Sequence, residues 1–200
     1  MTKPKIDIYD KHSHMVSQLA KPGEAIIADL TSETAHIWHM ATGLAGESVE
    51  VDCCLRNLVL SYGCDDSELL CNDMNHFMKE LGDYEFYLRA LCDAFCVTTF
   101  KDGAHLSINT QDTQGSLLEK SCALLEKIKK FAVYKRQDED FVKELKDDLY
   151  GLTNITMPLL YEAYDLNRED VLQMNYDKLH KRYSKGTYSN KQAIDRKDVK

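Results

Sequence analysis

The chain has 200 residues and is 44% hydrophobic, enough for one substantial core or two small coupled ones. Its formal net charge of −8 argues against a bulk electrostatic grip on nucleic acid, and no apolar run reaches the length of about 18 residues that a membrane span needs. The seven cysteines include no CxxC pair and mostly sit in helical patterns (Cys53, Cys54, Cys92, Cys96, Cys122), so they read as reduced core or near-core residues. With no apolar leader in MTKPKIDIYDKHSH, a soluble, cytoplasmic protein is expected.

Three prolines, nine glycines and sustained 3.6-residue periods predict an all-α protein. After a loose lead-in over residues 1–12, a short helix runs from His12 to about Leu19 and ends near Lys21-Pro22-Gly23. A longer one starts at Asp29 or Thr31 and reaches about Leu60, with a break expected near Gly43 or Gly46; its apolar stripe is Ile37, Ala41, Leu44, Ser48, Val51, Leu55 and Leu58. The next spans Asp65 or Asp66 to about Val97, with Phe77, Leu81, Tyr84, Leu88, Leu91 and Phe95 inward. Residues 98–115 form a polar linker with room for a short hairpin. Helices then cover Ser116–Tyr134, Glu139–Tyr164 with Pro158 kinking or interrupting it, and Asn167–Arg182. The tail from Lys185 on is polar and expected to be partly disordered.

Two of these helices carry carboxylates at i,i+3 spacing, Glu47 with Glu50 and Glu80 with Asp83, so each pair shares a helix face. At 100° per residue, Glu47 and Glu50 fall roughly 300° and 240° from Leu44, and Glu80 and Asp83 take the same angles from Phe77. If the two helices pack antiparallel through their stripes, the acidic edges can converge. Converging carboxylates raise each other's pKa and destabilise the fold. A divalent cation removes that penalty; magnesium suits the all-oxygen set, with manganese as the chemical alternative. A polyphosphate is the natural cargo of such a site. The ordinary alternative is that surface helices are rich in Glu and Asp, and a lone ExxE is usually solvated.

The pattern recurs. The stripe Leu117, Leu124, Ile128, Phe131 places Lys120 and Ala123 where Glu47 and Glu50 stand. The stripe Phe141, Leu145, Leu152, Ile155 places Glu144 and Asp147 where Glu80 and Asp83 stand, and Lys79-Glu-Leu-Gly-Asp83 echoes Lys143-Glu-Leu-Lys-Asp147. Residues 34–97 and 116–165 therefore read as two versions of one helical hairpin, the second having lost one acidic pair.

Lys178 and Arg182, i,i+4 on one face, can meet two phosphate groups, arginine offering a bidentate fork; they can equally balance a helix C-terminus. Asn175 lies one turn earlier. Trp38, the single tryptophan, borders the stripe, where core packing is the default and base stacking the alternative. His36 and His39 can line a nucleotide pocket but lack a third nitrogen or sulfur ligand for zinc. Arg56 follows Glu50 by two turns and meets either a phosphate or solvent. The basic run Lys127, Lys129, Lys130, Lys135, Arg136 reads as a solvated face. No P-loop, Rossmann fingerprint or nucleophile elbow is present.

His39-Met-Ala-Thr-Gly-Leu-Ala-Gly-Glu47-Ser-Val-Glu50 and Lys79-Glu80-Leu-Gly-Asp83-Tyr-Glu-Phe-Tyr-Leu88 resemble the two metal-binding motifs of the MazG-like all-alpha nucleoside triphosphate pyrophosphohydrolases. Asn175-Tyr-Asp-Lys178-Leu-His-Lys-Arg182-Tyr183-Ser-Lys-Gly186-Thr-Tyr-Ser189 resembles their closing segment. The resemblance touches residues 34–97 and about 139–189. It implies a helical bundle, magnesium on Glu47, Glu50, Glu80 and Asp83, and phosphates near Asn175, Lys178 and Arg182. The implied reaction cleaves between the α and β phosphates, giving a nucleoside monophosphate and pyrophosphate. It also implies a homodimer, although an internal duplication would let a monomeric pseudo-dimer suffice. Deoxynucleoside triphosphates are the expected substrates, with dUTP or dCTP ahead of purines by a small margin, and the related all-alpha dUTPases also build sites from more than one helical unit. A modified nucleotide, an alarmone or a non-catalytic binding role are the rivals, and a bacterium or phage is a suitable source. The family places its Asn-Lys-Arg helix roughly 30 residues after the ExxD pair. Here it follows the second hairpin instead, which leaves open whether Lys178 and Arg182 reach the intact cluster within one chain or across a dimer.

Overall fold

The computed structural model describes residues 7–63, 67–100, 116–196 and 198, and every regular element among them is helical. In chain order these are α1 (Ile8–Leu19), α2 (Gly23–Asp29), α3 (Ser32–Ser61), α4 (Ser67–Phe95), α5 (Leu117–Val133), α6 (Glu139–Gly151), a π-helical turn (Leu152–Thr156), α7 (Met157–Ala163), α8 (Arg168–Arg182) and α9 (Asn190–Asp195). The helix start expected at Asp65 or Asp66, and the stretch of linker with room for a hairpin, lie outside the described residues. No described helix is long and apolar enough to cross a membrane.

Local chemistry sets the helix starts. Between the two starts open in the sequence, Thr31 prevails because its hydroxyl accepts from the Thr34 N–H at 3.1 Å while the Thr34 hydroxyl accepts from the Thr31 N–H at 2.9 Å, two orphan donors satisfied reciprocally. Ser116 and Glu119 make the same exchange at the head of α5. Asp138 and Asn167 cap α6 and α8 through single side-chain acceptors. The short α2 was not expected. It is tied down by Lys21, whose ammonium donates to Asp29 at 2.7 Å and to the Val133 carbonyl at the end of α5 at 2.6 Å.

α3 and α4 form an antiparallel pair, and α5 and α6 pack against it to close a four-helix bundle; α8 lies along α4. Leu44, Phe77, Leu81, Tyr84, Leu124 and Ile128 are fully buried at its centre. The inward set predicted for α4 is buried in full. On α3 one position shifts: Cys54 is buried and Leu55 only partly so, because over thirty residues a straight 3.6-residue helix drifts away from a fixed stripe. Buried Tyr84 meets Ser121 at 3.0 Å, a polar tie between α4 and α5.

α3 does not break at Gly43 or Gly46. Gly43 instead allows close approach: a Cβ there would come within 2.2 Å of the Tyr87 ring. Pro158 acts one turn upstream of itself. It has no N–H to give and its ring crowds the carbonyl four residues back, and the chain answers by widening into the π-turn at 152–156. The extra residue rotates the inward face, so Leu149, Leu152, Met157 and Tyr161 are buried while Ile155, expected inward, is only partly covered.

The six described cysteines are free thiols. Cys54 and Cys92 are buried, but Cys53, Cys71, Cys96 and Cys122 are exposed, against the expectation of core or near-core positions. Every member of the 127–136 basic run is ion-paired to a nearby carboxylate, as a solvated face would be.

Candidate metal centre and adjoining cavity

The register of α3 on α4 decides what the acidic pairs do. Gly43 faces Tyr87, Cys54 faces His76, and Ser61 bonds Asp73. That antiparallel register sets Glu47 level with Asp83 and Glu50 level with Glu80. Carboxylate oxygens of Glu47, Glu80 and Asp83 lie within 4.8 Å of one another, each side chain half-buried. Glu50, predicted as the fourth ligand, is exposed; it stands at the rim of the same cleft rather than in the triad.

Three acids in so small a space repel. Burial, reinforced by Asp83, Glu50 and Glu80, pushes the Glu47 carboxyl up to about 7, with Lys178 opposing. Burial and the Glu50 and Asp83 charges raise Glu80 as well, opposed by Lys178 and His76. His76, one turn before Glu80, reaches its carboxylate at 3.1 Å through Nε2 while its Nδ1 faces the Cys54 thiol at 3.5 Å. It braces the cluster but does not join it.

The donor set fits magnesium. Octahedral ligands at magnesium–oxygen lengths stand about 3 Å apart when adjacent and about 4.2 Å when opposite, and the triad's oxygens all lie within 4.8 Å of one another. All three donors are carboxylate oxygens, with no nitrogen or sulfur ligand to favour zinc.

α8 brings the cations to this cluster in the same chain, which answers the question left open by the long sequence gap. The Asn175 amide donates to Asp83 Oδ1 at 2.7 Å, and Lys178 forms an ion pair with the other Asp83 oxygen. Gly82 makes the approach possible: a Cβ there would stand 2.8 Å from Asn175 Cβ and 3.3 Å from the Val171 carbonyl. Neither atom is the loose end of a side chain, so α8 itself would have to move. Gly82→Ala is accordingly expected to destabilise the protein by about 1–2 kcal/mol despite alanine's better helix propensity, and to separate Asn175 from Asp83. A urea midpoint at or above that of the parent would refute this.

Arg182 lies one turn beyond Lys178 and makes a two-pronged ion pair with Asp198, at 2.7 and 2.6 Å. The pairing raises the Arg182 pKa and lowers the Asp198 carboxyl to about 2. Glu47, Glu50, Glu80 and Asp83 on one side and Lys178, Arg182, Ala193 and Arg196 on the other enclose a polar cleft of about 270 Å³.

A larger cavity of about 590 Å³ adjoins it and shares Glu47, Asp83 and Arg182 in its wall. Its remaining lining is rich in aromatic rings. Phe86 and Tyr87 meet edge to face, Tyr176 and His180 stack with rings 6° from parallel, and Tyr183 leans on Tyr188 across a turn at Gly186, whose φ of +68° suits glycine. Burial, with Glu47 and Asp83 nearby, raises the Tyr87 hydroxyl pKa.

His39 lines this cavity. Trp38 does not: it packs against the hydrophobic core, because its helical angle turns it into the bundle. Arg56 is exposed, pairs with Asp52 one turn away, and lines neither space. Sequence reasoning missed Tyr176, His180 and Tyr183, whose i,i+4 and i,i+3 spacing on α8 was a usable signal. The tail, expected to be partly disordered, forms the short α9 over Asn190–Asp195. In the second hairpin, Lys120 donates to Thr156 at 2.9 Å and Glu144 pairs with Lys127, and among the described residues the matched positions form no carboxylate cluster like that of the first hairpin.

No protein-family model, curated protein or solved structure matches this chain.

Proposed function

We propose that the protein is a magnesium-dependent pyrophosphohydrolase that converts a nucleoside triphosphate to the monophosphate and pyrophosphate. The observation that carries this reading is the pairing, in one cleft, of a three-carboxylate cluster with Lys178 and Arg182 from the facing helix. Glu47, Glu80 and Asp83 would hold the ion, which when bound polarises phosphate oxygens and makes water more acidic. Lys178 and Arg182 neutralise the triphosphate, arginine through its fork and lysine as a point charge. Asn175, fixed on Asp83, orients that carboxylate.

Glu50 stands beside the triad with its carboxylate uncommitted to it. It takes the proton of a water whose oxygen attacks the α-phosphorus, while the bond to the bridging oxygen breaks and pyrophosphate leaves. The aromatic cavity opening from the cleft offers flat faces to a nucleobase, the role that base stacking by Trp38 would otherwise have filled. Deoxynucleoside triphosphates are the expected substrates, with dUTP or dCTP ahead of purines. The α5–α6 hairpin is, on this view, a degenerate second copy of α3–α4 that supplies the packing surface a partner subunit would otherwise give.

The test is pyrophosphate release with magnesium across dUTP, dCTP, dTTP, dATP, dGTP and the ribonucleotides. Monophosphate and pyrophosphate from one or two of them is the expected outcome. Orthophosphate as the first product, or no turnover by folded protein on any nucleotide, would sink the reading.

A further inference from the structure

The C-terminal segment that follows α8 crosses both cavities. Gly186, Thr187 and Tyr188 line the aromatic one, and Ala193 and Arg196 line the acidic cleft. Three cations therefore face the carboxylates: Lys178, Arg182 and Arg196. The first two are already engaged, Lys178 by Asp83 and Arg182 by Asp198. Arg196 has no ion pair with any described residue. Its backbone is also unusual. At φ +41° and ψ +56° it occupies the left-handed region just past the end of α9, where an arginine is strained and a glycine would be at ease. A strained arginine that has no ion pair among the described residues, in the wall of a cleft of opposite charge, is poorly explained by stability alone.

We propose that Arg196 is a third polyphosphate-binding residue, delivered to the cleft by the C-terminal segment. A substrate carrying several phosphate charges would meet one guanidinium that needs no prior release, and Asp198, two residues on, holds Arg182 in place until a phosphate replaces it. This rests on the reading of the cleft as a polyphosphate site, and it adds the C-terminal tail to the elements that grip the substrate.

Binding of inorganic tripolyphosphate to the full chain with magnesium, followed by calorimetry, tests it without requiring turnover. Arg196→Gln is expected to weaken binding about tenfold, as loss of one charge-assisted contact should. Arg196→Lys recovers part of that loss. Arg196→Gly separates function from structure: it relieves the left-handed strain, so its melting temperature equals or exceeds the parent's, yet it binds as weakly as the Gln variant. If the reaction proposed above is correct, KM rises in Arg196→Gln more than kcat falls. Affinity within about twofold of the parent in Arg196→Gln overturns the proposal, as does a Gly variant whose melting temperature falls together with its affinity. A parent protein that does not bind tripolyphosphate at all refutes the polyphosphate site itself, and this inference with it; binding that ignores Arg196 refutes the inference alone.

Discussion

Glu47→Gln is expected to lower magnesium-dependent turnover by on the order of 10²–10³-fold while making the metal-free protein more stable. The two effects have one cause. Glu47 sits half-buried among Asp83, Glu50 and Glu80, and its folded pKa of about 7 stands above the ordinary value of 4.5. The native state therefore holds this proton more tightly than the unfolded chain does. Its contribution to stability is fully present below about pH 4.5 and is lost as pH rises through about 7. Allowing for solvent screening of a half-buried group, the loss is about 1–2 kcal/mol. Glu80 is shifted in the same direction and adds to the trend.

Without divalent cation, the urea midpoint of the parent should thus fall between about pH 4.5 and 7, and Glu47→Gln should flatten that fall. Saturating magnesium should reverse it in the parent, since ligand bound only to the native state stabilises by mass action, and should do little for the variant. Unfolding curves at several pH values, with and without magnesium, check all three statements. A Glu47→Gln protein less stable than its parent in chelator would mean that the cluster is held by hydrogen bonds rather than opposed by repulsion.

Arg168→Met is expected to cost about 3–5 kcal/mol, the largest single loss of stability foreseen in this chain, because it strands a buried charge. Glu85 on α4 is 2% exposed and is gripped by Arg168 through two bonds, Nε at 2.7 Å and a terminal nitrogen at 2.9 Å. The Tyr161 hydroxyl donates to the same carboxylate at 3.2 Å. The third arm of Arg168 donates to the Phe100 carbonyl at 2.7 Å, and its guanidinium lies 4.4 Å from the Phe100 ring centre. This knot binds α7, the first turn of α8 and the chain after α4 to one point of α4. Asn175, Lys178 and Arg182 lie further along the same α8, so a slip at Arg168 moves the whole cationic side of the cleft.

Glu85→Leu combined with Arg168→Met should recover most of the loss, since an apolar pair of similar volume avoids desolvating either charge. A double-mutant cycle in urea measures the coupling. Two additive losses below about 1 kcal/mol each would show that Glu85 reaches solvent and that the knot is no anchor for α8.

Much of this architecture is written in local periodicity. The i,i+3 spacing of Glu47 with Glu50 and of Glu80 with Asp83, the inward run from Phe77 to Phe95, and the caps at Thr31 and Ser116 follow from the helix repeat and from unsatisfied N–H groups. Neighbours in sequence decide such features, so the sequence by itself determined the long helices α3 to α6 and α8, and the presence of two acidic edges, but not the short α2 and α9. What it could not determine depends on residues far apart in the chain meeting face to face. The register of α3 on α4 admitted Glu47, Glu80 and Asp83 to one cluster and left Glu50 at its rim. A small drift in helical angle buried Cys54 in place of Leu55, and packing decided for the core, the default place for Trp38, over the cavity. The absent Cβ of Gly82 let α8 close on α4 across 92 residues of separation, from Asp83 to Asn175, so that one chain supplies both the acids and the cations. The tail's place over the cleft rests on Asp198 finding Arg182, a pairing of two charges that no helical period announces. Periodicity fixes an angle within one helix, whereas a site is made where two helices touch, and only the packed structure sets that contact.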